Sequence, residues 1–158
     1  MIKEIKISLA RKSDIPKISR LRIETLKKVS KKENDPNFID EVIKDYSIKN
    51  IKKNFDNRLE ICAYSGKRLV GCIFLDKSKI GGLYVKHNLL RKGIGSKLIN
   101  YVEDIAKRNR IDILTLYPLA DAIGFYRKKD FKLKRKRIID LNGKKFIESV
   151  MTKKIRRK

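Results

Sequence analysis

Gly93 and Gly95 stand one residue apart, directly after Arg91 and Lys92 and just before Leu98, Ile99, Val102, Ile105 and Ala106, which recur at helical spacing. Upstream, Leu83-Tyr84-Val85 closes a strand-like stretch. A strand that runs into a glycine turn and then a helix brings the turn's backbone N–H groups and the helix N-terminus to one point. Such a point is an anion cradle. Gly93 and Gly95 let the backbone of Arg91 to Ser96, Ile94 included, approach a phosphate closely, and Arg91 and Lys92 add charge where a pyrophosphate would sit. Neither the Walker loop nor the three-glycine dinucleotide fingerprint is present. A tight strand-to-helix turn without a ligand has the same local pattern, so both readings stand on these residues alone.

The elements that must position this loop can be read from periodicity. Ile5, Ile7 and Leu9 alternate with Lys6 and Ser8 as in a half-buried strand. Ser13-Asp14 offers a helix cap with Pro16 in the first turn, and Ile15, Ile18, Leu21, Leu26 and Val29 follow at helical spacing. A second amphipathic stretch after Asp35-Pro36 carries Ile39, Val42, Ile43 and Tyr46. Strands are expected over Leu59 to Ser65 and Arg68 to Leu75, joined by a Ser65-Gly66-Lys67 turn, and over Ile80 to Val85. Gly81-Gly82 inside the last of these predicts a bulge or a close backbone approach. Beyond the glycine loop come a helix, a strand from Ile111 to Leu116, a helix from Ala120 to Lys129, and a hairpin of Phe131 to Leu141 and Lys145 to Met151 around Asn142-Gly143. The order β-α-α-β-β-β-α-β-α-β-β predicts a mixed α/β layer fold, one domain over residues 1–152 with a basic tail at 153–158.

Two motifs in this order resemble the GNAT superfamily of acetyl-CoA-dependent N-acetyltransferases. Leu83-Tyr84-Val85 followed by Gly93-Ile94-Gly95-Ser96-Lys97-Leu98 is similar to that family's motif A, with Leu90 where Gln or Arg is usual. Ala122-Ile123-Gly124-Phe125-Tyr126-Arg127-Lys128-Lys129-Asp130-Phe131 is similar to motif B, with Asp130 in place of a Gly and Leu119 where many members have Asn. Asp adopts left-handed turn geometry more readily than most residues. The likeness extends over nearly the whole chain, from Ile5 to Met151.

The resemblance implies a mainly antiparallel six- to seven-stranded sheet flanked by helices, in which Ile80 to Val85 and Ile111 to Leu116 splay apart to admit acetyl-CoA. Backbone groups of Leu83, Tyr84 and Val85 would then face the pantetheine arm, with the Val85 N–H polarising the thioester carbonyl, and Arg91, Lys92, Gly93, Ile94, Gly95 and Ser96 would hold the pyrophosphate. Acetyl transfer to a primary amine would be direct, with Tyr126 as the acid that protonates the departing thiolate. Asp76, Tyr84 and His87 are the nearby candidates for a base. No metal is implied. Core packing is the competing reading for Phe125-Tyr126.

Composition bounds the rest. The chain has 158 residues, 42 Lys and Arg against 18 Asp and Glu, and a net charge of +24. A field of that sign favours polyanions, yet 29 Lys and 23 Ile against five Ala also fit a compositional bias. No Trp, zinc-ligand cluster or aromatic-basic signature points to nucleic acid. A catalytically reduced binding module that uses Arg127 to Arg137 to hold RNA, a ribosome or an acidic protein is therefore the rival to the enzyme, and a homodimer stays open. Cys62 and Cys72 lie in apolar stretches and are expected as buried free thiols. With no long apolar run at the N-terminus, they set the expectation of a cytoplasmic protein. Residues 24–45 hold six acids (Glu24, Glu33, Asp35, Asp40, Glu41, Asp45) against five lysines. Two expectations follow for this pair of helices: a solvated surface, or a wall that attracts a cationic amine through Asp40 and Glu41.

Overall fold

The computed structural model describes residues 4–29 and 31–156. Strand β1 (Ile5–Leu9) leads into helices α1 (Ile15–Leu26), α2 (Pro36–Asp45) and α3 (Ile48–Asn54). Three strands follow, β2 (Leu59–Ser65), β3 (Arg68–Asp76) and β4 (Lys79–Val85). Helix α4 (Ile94–Arg108), β5 (Ile113–Leu116), α5 (Ile123–Lys128), β6 (Lys132–Leu141) and β7 (Lys144–Lys154) complete the chain.

The seven strands form one sheet in the order β1-β2-β3-β4-β5-β7-β6. Every neighbouring pair is antiparallel except β4 and β5, which run parallel. Because successive strand residues face opposite sides, β2 and β3 feed two cores. Ile61, Ala63, Ile73 and Leu75 pack with Ile94, Leu98, Ile99, Val102, Ile105 and Ala106 of α4. Cys62, Cys72 and Phe74 pack with Ile15, Ile18, Leu21 and Leu26 of α1, Ile39 of α2 and Ile51 of α3. Each fully buried aliphatic side chain contributes about 1.5–3 kcal/mol, so the two helix layers are held by apolar burial on both faces of the sheet.

Local chemistry sets the helix starts. Asp35 caps α2 by accepting from the Asn37 N–H at 2.8 Å, and Ser47 caps α3 by accepting from the Asn50 N–H at 3.2 Å. Helix α3 is an addition to the order read from the sequence. Its seven residues carry only two apolar positions, Ile48 and Ile51, too few to show a period. The segment Ala120–Ala122 is a short turn of tighter helix before α5 rather than its first turn. The residues set apart as a basic tail are corrected in part: β7 runs to Lys154, and Ile155 is buried with its N–H bonded to the Asp112 carbonyl at 2.8 Å. Residues 157 and 158 of that tail lie outside the described residues. Cys62 and Cys72 are both buried free thiols, as expected.

Candidate functional site

The parallel seam between β4 and β5 is short. It pairs Lys79 with Thr115 and Ile80 with Leu116, and then the strands part. Opposite Ile73, β4 carries two residues, since Cys72 pairs with Tyr84 and Phe74 with Gly81. The bulge read from Gly81-Gly82 is therefore present, at the place where the strands diverge. Its glycines are required by space as well as by conformation. A Cβ on Gly81 would sit 2.2 Å from the Phe74 ring, and one on Gly82, at φ +59°, would sit 2.7 Å from the Arg22 guanidinium.

Arg22 anchors the bulge from below. Its Nε donates to the Gly82 carbonyl at 3.1 Å, and its Nη2 and Nη1 reach Glu60 at 2.7 and 3.4 Å. Both side chains are fully buried, and removing one partner of such a pair costs about 3–5 kcal/mol. Beyond the bulge, the Lys86 N–H bonds to the Val70 carbonyl at 2.9 Å, and Gly71 pairs with Val85. Bonded and non-bonded residues alternate along an antiparallel ladder, so the Val85 amide faces away from β3, into the gap.

At the mouth of the gap the chain turns through Arg91 (φ +64°) and Gly93 (φ +83°) into α4. Gly93 is the N-cap, and the Lys97 N–H makes the first helical bond to its carbonyl at 3.0 Å. The amides of the first turn are thus left without helical partners and carry the positive end of a 15-residue helix. A Cβ built on Gly93 meets nothing within 4 Å, whereas one on Gly95 would come within 3.2 Å of the Phe125 ring. Open space beside unpartnered amides fits an anion, and the narrow gap beyond fits an extended arm.

A single cavity of about 1250 Å³ joins these features. Leu83, Tyr84, Val85, Arg91, Gly93, Ile94, Gly95, Ser96 and Tyr126 all line it. Lys92 is exposed and does not. The three base candidates, Asp76, Tyr84 and His87, line it as well. Tyr126 projects from α5, edge-on to Phe125 (5.2 Å) and Phe131 (5.9 Å). Burial pushes its phenol well above the ordinary value, and the neighbouring Tyr46 adds to the shift. The Tyr84 phenol is likewise pushed well above the ordinary value by burial, and then by Tyr46. A phenol raised in this way keeps its proton at neutral pH.

The acidic residues of the α1–α2 region do not form a wall. Of the six, only Asp45 lines the cavity; Asp40 is exposed elsewhere. Glu41 is instead a clamp, accepting from Asn142 Nδ2 at 2.6 Å and Lys44 Nζ at 3.0 Å, which holds its carboxyl below the usual range. With Phe38 edge-on to Phe146 (5.3 Å), it ties α2 to the β6–β7 hairpin. A second tie crosses the gap: Asn34 accepts from the Ala120 N–H at 3.0 Å and donates to Asp121 at 3.2 Å. Asp130 takes the left-handed conformation (φ +70°) that its place after α5 calls for.

Sequence reasoning missed Tyr46, Arg58 and Tyr117, all of which line the cavity. Tyr46 had looked like one more apolar position of a helix, and the other two lie in connections without a pattern.

The family model described as the acetyltransferase (GNAT) family matches residues 23–131. No curated protein sequence matches the chain. Among solved structures, a GCN5-related N-acetyltransferase from Rhodopseudomonas palustris superposes with a TM-score of 0.88 at 17% identity, over 98% of both chains. The PaiA N-acetyltransferase of Thermoplasma acidophilum, in complex with coenzyme A, gives 0.76 at 24% identity, over 96% of this chain and 99% of that one. The ribosomal-protein-S18-alanine N-acetyltransferase of Escherichia coli gives 0.68 at 16%, over 96% and 94%. At these identities the likeness is one of fold.

Proposed function

We propose, from the premise that this chain belongs to the acetyltransferase (GNAT) family, that it transfers the acetyl group of acetyl-CoA directly to a primary amine, on a small molecule or on a peptide. The observation that carries the reading is the parting of β4 and β5 after two residue pairs, with the Val85 amide turned into the gap. The coenzyme A complex of the Thermoplasma acidophilum protein supports the same choice of acetyl donor.

In this reading the first-turn amides of α4 and the Arg91 side chain hold the pyrophosphate, and Gly93 and Gly95 keep side chains out of its way. Backbone groups of Leu83, Tyr84 and Val85 align the pantetheine arm, so that the Val85 N–H donates to the thioester oxygen as negative charge develops there. The acceptor amine enters from the side of α1 to α3 and attacks the carbonyl carbon. The C–N bond forms, the C–S bond breaks, and Tyr126 gives its proton to the departing sulfur. Asp76 or His87, both on the cavity wall, takes the proton from the amine. Neither cysteine takes part, since burial raises both thiols.

Calorimetric titration with acetyl-CoA, followed by an amine panel read as free-thiol release, tests this. Saturable binding and amine-dependent thiol release are expected. Absence of both, with salt-sensitive retention of nucleic acid, would favour a binding module instead.

A further inference from the structure

Beneath the cavity two guanidinium groups share one carboxylate. Arg22 takes both oxygens of Glu60, and Arg58 Nε reaches Oε2 at 3.0 Å. Arg58 lies flat on Phe74, 3.9 Å from the ring centroid, with 11% of its side chain exposed. Its Nη2 is also 3.0 Å from that oxygen, yet it is buried and makes no hydrogen bond among the described residues. Within this triad two guanidinium charges share one carboxylate.

The surroundings offset this charge only in part. Arg58 lines the cavity together with Lys53 and Lys79. Of the carboxylates on the same wall, Glu148 is taken by Arg137 at 2.8 Å and Asp121 accepts from Asn34. Asp45, also on the cavity wall, acts electrostatically on Arg58 and Lys79 without an ion pair to either among the described residues, and Asp76 lines the cavity without pairing with Arg58. A guanidinium with spare donors on a cavity wall is suited to a carboxylate or a phosphate.

We propose that Arg58, flanked by Lys53 and Lys79, receives an anionic group of the acceptor, so that the substrate is an amine carrying a carboxylate or phosphate. The strand sets the span. Arg58 sits over Phe74, which pairs with Gly81, while the amide facing the reacting carbonyl belongs to Val85. At a strand rise of about 3.3 Å per residue, less the bulge, roughly 10 Å separate the two points. An α-amino acid is too short to bridge them, and an amine several bonds from its acid group fits. The inference rests on the acetyl-transfer reading, and it replaces the expectation of a purely cationic acceptor drawn by Asp40 and Glu41, neither of which lines the cavity.

The test compares ε-aminocaproate, aminohexyl phosphate, hexylamine and cadaverine as acceptors, by kcat/KM from thiol release, with acetyl-CoA affinity measured separately. The better of the two acid-bearing amines is expected to exceed hexylamine and cadaverine by about tenfold or more, the scale of one charge-assisted hydrogen bond; which of the two leads identifies carboxylate or phosphate. In Arg58→Gln the ratio is expected to fall to about one with acetyl-CoA affinity retained, and Arg58→Lys should recover part of it. If thermal unfolding shows that Arg58→Gln does not fold, the K53Q/K79Q double variant is expected to halve the ratio or more. Equal use of acidic and neutral amines, preference for cadaverine, or a ratio insensitive to all these variants would overturn the inference while leaving acetyl transfer intact. So would acetyl-CoA binding with no turnover of either acid-bearing amine. Failure to bind acetyl-CoA at all would instead overturn the reading on which it rests.

Discussion

At the residue scale, burial decides what the cleft tyrosines can do. Tyr126 is held protonated well beyond neutral pH, which suits a group that must donate a proton. Tyr126→Phe keeps the ring and its edge contacts and removes only the donor. It should lower kcat by roughly 10²–10⁴, while the acetyl-CoA dissociation constant changes less than about threefold. Unchanged kcat would leave Tyr126 as packing alone. The same burial has a consequence for stability. Tyr46, Tyr84 and Tyr126 are all raised above the ordinary phenol value of about 10. Between pH 7 and that value both folded and unfolded chains keep these protons. Above it the unfolded chain releases them first, so stability is full below about pH 10 and is lost as pH rises further. Chemical denaturation at pH 8, 10 and 11 should show a midpoint that begins to fall by pH 10 and falls more steeply from 10 to 11, and by less when the three tyrosines are replaced by Phe. Tyr126 was legible in the sequence through its motif. Arg22, Arg58 and Glu60 were not, because their partnership joins a helix to the start of a strand, and no local period records which distant charge a buried guanidinium will meet.

At the scale of elements, the glycine loop was read correctly as a turn into α4, since Gly93 and Gly95 differ from their neighbours in what backbone they permit. Gly93→Ala tests that reading. At φ +83° the substitution is strained though the space is open, so it should cost about 1–2 kcal/mol of stability. If the loop cradles phosphates, acetyl-CoA affinity should fall by more than tenfold in calorimetry; a stability loss with affinity unchanged would make the glycine a turn residue only. The bulge was equally legible, because paired glycines inside a strand have few other uses. Helix α3 was not, since its short apolar pattern cannot be told from a loop and its signal reduces to the Ser47 cap. The end of β7 was misplaced because basic residues were taken for solvated tail, whereas Lys153 pairs with Glu103 at 3.0 Å and Ile155 packs inside. The Glu41–Asn142 clamp joins elements 101 residues apart. Asn142→Ala should leave acetyl-CoA affinity near the parent value and raise the acceptor KM severalfold, as read by thiol release, because α2 and the hairpin are then tied beside the cavity by the Phe38–Phe146 contact alone.

Over the whole molecule, the charge of +24 belongs to the chain more than to the site. Few of the bases line the cavity: Lys28, Lys53, Arg58, Lys79, Arg91 and Lys128. The rest repel one another. Screening should therefore stabilise the fold: raising sodium chloride from 20 to 300 mM, which shortens the Debye length to well under about 10 Å, should lift Tm by roughly 3 °C or more in scanning calorimetry. No change would mean that acids and bases are already paired finely enough to cancel the long-range field. The two-pair seam between β4 and β5 has a consequence for how the protein comes together. On one side of it stand β1 and the β2-β3-β4 meander; on the other, β5 is held chiefly by the closing hairpin. With so little main-chain bonding between them, the halves are joined mostly through α4, the apolar cores and the ties of Asn34, Phe38 and Glu41 to the far side. A donor arm laid into the gap would then act as a missing strand, and the enzyme would be most nearly one piece of sheet only while it holds the molecule it is about to consume.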